Sequence, residues 1–258
     1  MLKVRIIPTL LFKSTGLFKG KNFLSDRNVG AVMPSIKTYN MRDVDEIIIL
    51  DIEATYNKTD PNYELIKDIS ENCFVPMTVG GGINNIDQVQ KLFHFGADKI
   101  SINSYLYNDL EFVSKIANEY GTQSLVASVD VKKVNNKWMC FSHNGNNQTE
   151  YEVMDWCKRL EDKGIGEIML CSIEKDWLMK GYDQELISYT SKKLRVPLIV
   201  SGGASSYRDF LKAIRNGASA VAAASMYHFT YCTPNEAKDF LLKENIPIRK
   251  NLKIKLPD

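Results

Sequence analysis

Two glycine runs stand where an anion could be held. Gly80-Gly81-Gly82 closes the apolar segment VPMTV, and Ser201-Gly202-Gly203 closes VPLIV. A glycine run at the C-terminal end of a strand lets backbone N–H groups surround a phosphate. One such run is equally well explained by a chain that has to bend. Here there are two, and the next strand end after each is polar, Asn103-Ser104 and Ala224-Ser225, offering side chains and helix N-termini to complete a cradle. The pair predicts two phosphate sites and a ligand with phosphate at both ends. Asp130 ends the segment VASVD and shares a strand face with Ser128. If that face points inward, its carboxylate lies between the cradles as acid, base or ligand contact. The competing reading makes it a cap for the following loop.

A second constellation lies at the other end of the same segments. Arg5, Glu46, Lys99 and Glu167 open four strand candidates, each on the inward register. Buried charge is costly unless paired, so a floor meant only to be dry would be Val or Leu. Two positive and two negative residues predict a cross-braced ring. It is either a structural floor or a gate over a passage. Thr78, Ser101, Ala220 and Ala222, further along the strands, are small or polar enough to line a path for a small polar molecule.

Positioning these groups requires eight short β-branched runs, at 4–11, 46–52, 75–80, 99–103, 124–130, 167–173, 196–202 and 220–225. Helical patterns such as YELIKDIS, IDQVQKLFHFG and YRDFLKAIRNG separate most of them, several ending in a C-capping glycine. Eight strand–helix units with near-continuous apolar strands suit a closed parallel barrel, with an open doubly wound sheet as the alternative. An internal repeat decides for the barrel. VPMTVGGGI at 75–83 matches VPLIVSGGA at 196–204, and EIIILDIE at 46–53 matches EIMLCSIE at 167–174. Glu64-Leu65-Ile66 and Glu185-Leu186-Ile187 keep the same offset of 121, as do GAD at 96–98 and GAS at 217–219. Shared register in four segments predicts two (β/α)₄ halves forming one α/β (β/α)₈ TIM barrel over residues 1–248, with a basic tail at 249–258. The segments 12–30 and 131–145 interrupt the pattern after the first and fifth runs. The second reads as a hairpin turning at Asn135-Asn136.

Composition narrows the function classes. A chain of 258 residues with net charge +2 has no electrostatic footprint for nucleic acid or membrane. The five cysteines show no CxxC spacing and are odd in number, so the expectation is reduced thiols, no metal site and no cofactor. Arg5 and Pro8 interrupt the apolar N-terminal run, no cleavage site follows it, and nothing reaches the length of a membrane span, which suggests a cytoplasmic protein.

Taken together, these residues resemble HisF, the cyclase subunit of imidazole glycerol phosphate synthase, over positions 1 to about 248. The matching phrases are RIIP, Lys19-Gly20, LDI with Asp51, TVGGGI, GADKISIN, GTQS, the VD of Asp130, GEIMLCSI, GYDQELI, SGGA and GASAVAAAS. The resemblance implies that Gly81, Gly82, Asn103, Ser104, Gly202, Gly203, Ala224 and Ser225 hold the substrate's phosphates, and that Lys19, Asp51 and Asp176 belong to the mouth. It also implies that Arg5, Glu46, Lys99 and Glu167 form the gate admitting ammonia from a HisH-type glutaminase. One position departs. HisF has PCLDVKDG, whose aspartate works with the aspartate of the fifth strand; here the phrase is Pro8-Thr9-Leu10-Leu11 and Leu11 takes the aspartate's place. Asp176-Trp177-Leu178 stands for Asp-Gly-Thr, and Glu53 for a small polar residue.

The PxLL phrase is similar to HisF paralogues of acetamidino-sugar formation, which deliver ammonia to an ATP-dependent sugar amidotransferase. Three readings follow. The chain is an ammonia-conducting subunit for amidination, an active cyclase of histidine biosynthesis, or a phosphosugar-binding barrel without catalysis.

Overall fold

The computed structural model describes residues 3–14, 16–23 and 27–251. All eight expected runs are strands: β1 (Arg5–Lys13), β2 (Ile47–Asp51), β3 (Met77–Gly80), β4 (Lys99–Ile102), β5 (Leu125–Val134), β6 (Glu167–Ser172), β7 (Leu198–Ser201) and β8 (Ala220–Ala223). Each pairs in parallel with its neighbours in sequence. β8 returns to β1, with Arg5 beside Ala220 and Pro8 beside Ala223. The sheet therefore closes and the open-sheet alternative falls away. Outward residues such as Ile6, Leu10, Ile49 and Val129 are fully buried against the surrounding helices. At roughly 1.5–3 kcal/mol for each large apolar side chain removed from water, this shell is the main source of cohesion.

The doubled half-barrel is visible in the helix starts. Asn62 caps the helix Tyr63–Ser70 by accepting from Leu65 N–H at 3.1 Å, and Asp183, its counterpart 121 residues on, accepts from Leu186 N–H at 3.0 Å. Asn85 caps Ile86–His94, while its counterpart Ser206 forms a capping box with Asp209. Gly96 and Gly217 both hold left-handed backbone, with φ of 99° and 103°. A Cβ on either would meet a serine Cβ, Ser70 at 2.5 Å or Ser191 at 2.6 Å.

Two additions sit at the C-terminal ends of the strands. β1 runs on into an antiparallel ribbon, pairing with Gly16–Lys19, which pairs with Arg27–Ala31. β5 likewise continues into the expected hairpin, turning at Asn135 and Asn136 with φ of 48° and 62° and returning as Lys137–Ser142. A further strand, Asn147–Glu152, was not foreseen.

At the opposite end the four charged residues make one ring. Arg5 Nη1 donates to Glu46 Oε2 at 2.7 Å, and Nη2 to Glu167 Oε2 at 2.9 Å. Lys99 Nζ donates to the same two carboxylates at 3.1 and 3.0 Å. Thr78 Oγ1 completes Glu46 at 2.7 Å. Burial draws the Arg5 guanidinium down, but Glu167 and Glu46 outweigh it and hold it above its ordinary value. Beside the ring, Arg249 of the basic tail binds Asp43 and Asp45, and buried Lys238 binds Asp45 at 2.9 Å. Tail residues 252–258 lie outside the described residues. Among the described residues no helix is long and apolar enough to cross a membrane, and no His, Cys, Asp or Glu group is placed to hold a metal.

The floor predicts its own weak point. Glu46 is the most enclosed member, its side chain 2 % exposed. Glu46→Gln leaves Arg5 and Lys99 sharing one carboxylate. Urea unfolding should show a loss of at least about 2 kcal/mol, because an uncompensated buried charge costs more than the pair contributes.

Candidate functional site

Alternation along the strands decides which side chains reach the mouth. From β1 these are Thr9 and Leu11, from β4 Ser101 and Asn103 just beyond it, from β5 Ser128 and Asp130, and from β6 Met169 and Cys171. All line one cavity of about 420 Å³ at the C-terminal end of the barrel. Lys19, Asp51 and Asp176 line it too, as do both glycine turns and their partners Asn103-Ser104 and Ala224-Ser225. Every mouth residue expected from the sequence is thus brought to one chamber. The passage below differs from expectation. Beneath Thr9 and Ser101, the small residues Ala220 and Ala222 pack with Ile7, Ile48, Val126 and Ile199, all fully buried, so this layer is apolar.

The glycine turns have a steric reason of their own. Gly81, Gly82, Gly202 and Gly203 have φ of 109°, 72°, 89° and 105°. A Cβ on Gly81 would lie 2.2 Å from the Asp51 carbonyl oxygen; on Gly202, 2.7 Å from that of Ser172. Backbone crowding alone therefore demands glycine at both turns. A ligand reading needs more, and the chamber holds polar atoms without a protein partner among the described residues: Asn103 Oδ1, Ser225 Oγ, Thr9 Oγ1 and Ser101 Oγ. Thr9, Ser101 and Ser225 are at most 7 % exposed. A buried polar atom left unsatisfied costs about 1–3 kcal/mol, so such a group argues for a polar occupant.

Asp130 is the central carboxylate, 8 % exposed, with Oδ2 accepting from Asn103 Nδ2 at 2.6 Å. Burial, reinforced by the nearby charge of Asp176, pushes its pKa up to about 7 against the opposing Asn103 bond. It does not cap a loop; it faces the chamber. Leu11 lies on β1, four strands away and therefore on the opposite wall, in contact register with Leu50. No carboxylate from β1 faces Asp130. Asp51, by contrast, is tied up locally, its Oδ1 accepting from the Glu53 and Ala54 N–H groups at 2.9 and 3.0 Å. Burial raises its pKa against those bonds.

Lys19 and Asp176 form a buried ion pair, with Nζ 2.8 and 2.9 Å from the two carboxylate oxygens. It fastens the ribbon after β1 to the loop after β6 across the mouth. In that loop Trp177 and Met179 hold left-handed backbone, φ 69° and 47°, an arrangement a non-glycine residue keeps only when its surroundings enforce it. The Trp177 ring stands edge-on to Phe229 at 4.7 Å. His228, near Lys19, is pulled down to about 4 by burial and by that charge. His143 and Asn144 on the β5 hairpin also line the chamber. Sequence reasoning missed them, although Asn144-Gly145 is itself a turn signal that could have placed the tip.

Two equivalent halves, a polar mouth and an ionised floor define the doubled half-barrel class of (β/α)₈ proteins. Within it, the chain belongs to the histidine biosynthesis protein family, whose pattern matches residues 5–233, and to its HisF branch. It is 39 % identical over 249 residues to a Campylobacter jejuni protein provisionally named imidazole glycerol phosphate synthase subunit hisF2, covering 96 % of this chain and 99 % of that one. It is 38 % identical over 251 residues to the imidazole glycerol phosphate synthase subunit HisF of Endomicrobium trichonymphae, covering 97 % and 96 %. The corresponding subunit of Chlorobium phaeovibrioides is 37 % identical over 250 residues, covering 96 % and 100 %.

The raised Asp130 carboxyl has a consequence for stability. Its folded pKa, about 7, lies above the unfolded 3.8, so its contribution is whole below about pH 4 and is lost as pH rises through 7. Asp130→Asn keeps an acceptor for Asn103 but removes the titration. The difference in unfolding free energy between variant and parent should grow by up to about 1.4 kcal/mol per pH unit between those limits, then level off. A flat difference in urea titrations across that range would contradict the burial argument.

Proposed function

We propose that this protein is the barrel subunit of a glutamine-dependent complex, passing ammonia from a HisH-type glutaminase through the barrel rather than closing an imidazole ring itself. The observation that carries this is Leu11. A leucine neither donates nor accepts a proton, and it occupies the wall facing Asp130. Two-carboxylate acid–base chemistry is then unavailable, and losing one such group removes roughly 10²–10⁴-fold of rate. The ring of Arg5, Glu46, Lys99 and Glu167 is the gate on the glutaminase side, and the apolar layer above it admits ammonia as the uncharged molecule and not as ammonium. Gly81-Gly82 with Asn103-Ser104, and Gly202-Gly203 with Ala224-Ser225, hold the phosphates of a phosphorylated ligand. The acceptor of the ammonia is a sugar carried to an acetamidino product by an ATP-dependent amidotransferase, a reading supported by the PxLL phrase. A second reading, the cyclase of histidine biosynthesis, draws support from Asp130 near neutrality and from the names of the relatives.

A steady-state assay with free ammonia separates the two. The protein should turn over the histidine-pathway substrate at least about a hundredfold more slowly than an ordinary HisF, and Leu11→Asp should recover part of the loss. Wild-type turnover within about tenfold, or 1.4 kcal/mol in barrier, would restore the cyclase. The floor makes a separate demand: the cognate HisH-type glutaminase should co-elute with the barrel, and clean separation at micromolar concentrations would remove the conduit.

A further inference from the structure

The returning strand Lys137–Ser142 forms a second hairpin with Asn147–Glu152, and its tip, His143-Asn144-Gly145, holds left-handed backbone throughout, with φ of 52°, 55° and 76°. Two bonds anchor it. The His143 N–H donates to Ser104 Oγ at 2.9 Å, just beyond β4. Asn144 Nδ2 donates to the Ile52 carbonyl at 2.7 Å, just beyond β2. β3 lies between β2 and β4 in the barrel. A strap fixed at those two points flanks the C-terminal end of β3, where Gly81 and Gly82 turn, while Gly145 faces Ile173 and Phe23.

The ring of His143 is oriented as well. Ser142, only 6 % exposed, places Oγ 3.0 Å from His143 Nδ1. A neutral ring accepting from that hydroxyl carries its proton on Nε2, and an imidazolium donates from both nitrogens. Nε2–H is the remaining donor in both of these forms, and an anion at the turn selects them over the tautomer that donates from Nδ1 to Ser142 and leaves Nε2 an acceptor. His143 is exposed and lines the same chamber as Gly81, Gly82 and Ser104. Lys58 lines that chamber too, next to Thr59, whose carbonyl oxygen would lie 3.0 Å from a Cβ on Gly82. Cationic and N–H donor groups therefore gather at this turn, whereas Lys19 is neutralised by Asp176.

We propose that the hairpin tip is the outer wall of the Gly81–Gly82 cradle, and that His143 is a ligand-binding residue donating from Nε2 to the phosphoryl group held there. The inference rests on the phosphate reading of the two glycine turns. It makes the cradles unequal, since the first is covered by this hairpin and the second by the loop after β6, which brings Lys175 beside Gly203.

The test is a titration of the full chain with inorganic phosphate, followed by NMR at the backbone amides of Gly81 and Gly82 and at the ring of His143, read separately from His94 and His228. The amides and the His143 ring should move together with one dissociation constant. His143→Ala should weaken that constant by about tenfold, the loss of one charge-assisted hydrogen bond. His143→Gly should weaken it equally, since glycine keeps the left-handed backbone without strain and separates loss of the ring from loss of the turn. Movement of Gly81 and Gly82 with a silent His143 ring, or unchanged affinity in both variants, would overturn the role of His143 and leave the cradle standing. No movement at Gly81 and Gly82 at millimolar phosphate would remove the cradle, and the proposal with it.

Discussion

In a closed parallel barrel the interior receives only every second residue of each strand, and a chain of this kind must fit floor, filling and mouth into that half-set. The consequence runs the full height of the molecule. On β1 the inward residues are Arg5, Ile7, Thr9 and Leu11, passing from ion pair to apolar packing to an unpartnered hydroxyl to the chamber wall. β5 runs from Val126 through Ser128 to Asp130, and β6 from Glu167 through Met169 to Cys171. A one-residue slip in any strand would exchange these for side chains meant for the helices. Closure by eight ladders of backbone hydrogen bonds is what forbids the slip. The charged floor and the raised carboxyl of Asp130 are both tolerable because closure holds their partners in reach.

That constraint also explains what was legible in advance. The strands, the closed barrel and the floor follow from period-two patterning and from the 121-residue repeat, and the structure returns each of them. Asp130, both glycine turns, Lys19 and Asp176 line one chamber because all lie on, or a few residues beyond, strand ends. The failures share a physical cause. The apolar layer of Ile7, Ile48, Val126 and Ile199 is not legible strand by strand, because inward positions from all sides of the barrel fill it together. The bonds from His143 to Ser104 and from Asn144 to Ile52 join residues 39 and 92 positions apart. No local pattern encodes a loop tip's landing place. The pairing of Lys19 with Asp176, across 157 positions, is of the same kind.

The two halves share a scaffold and part company at the mouth, and their divergence gives the chamber a direction. Equivalent glycines turn at Gly81 and Gly202, and equivalent carbonyls crowd them from Asp51 and Ser172. Beyond that the symmetry stops. Asn103, bonded to Asp130, has Ala224 as its counterpart, and a methyl group cannot make that bond. The first half's turn lies under the β5 hairpin; the second half's faces the loop held by the Lys19–Asp176 pair. A ligand with two similar ends would meet a different environment at each, so it could enter in only one favourable orientation. Asp130 would then address the same portion of it every time, and Leu11 would press an apolar wall against the other side. Departure from symmetry at a handful of positions is enough to turn a duplicated scaffold into a site with two distinguishable ends.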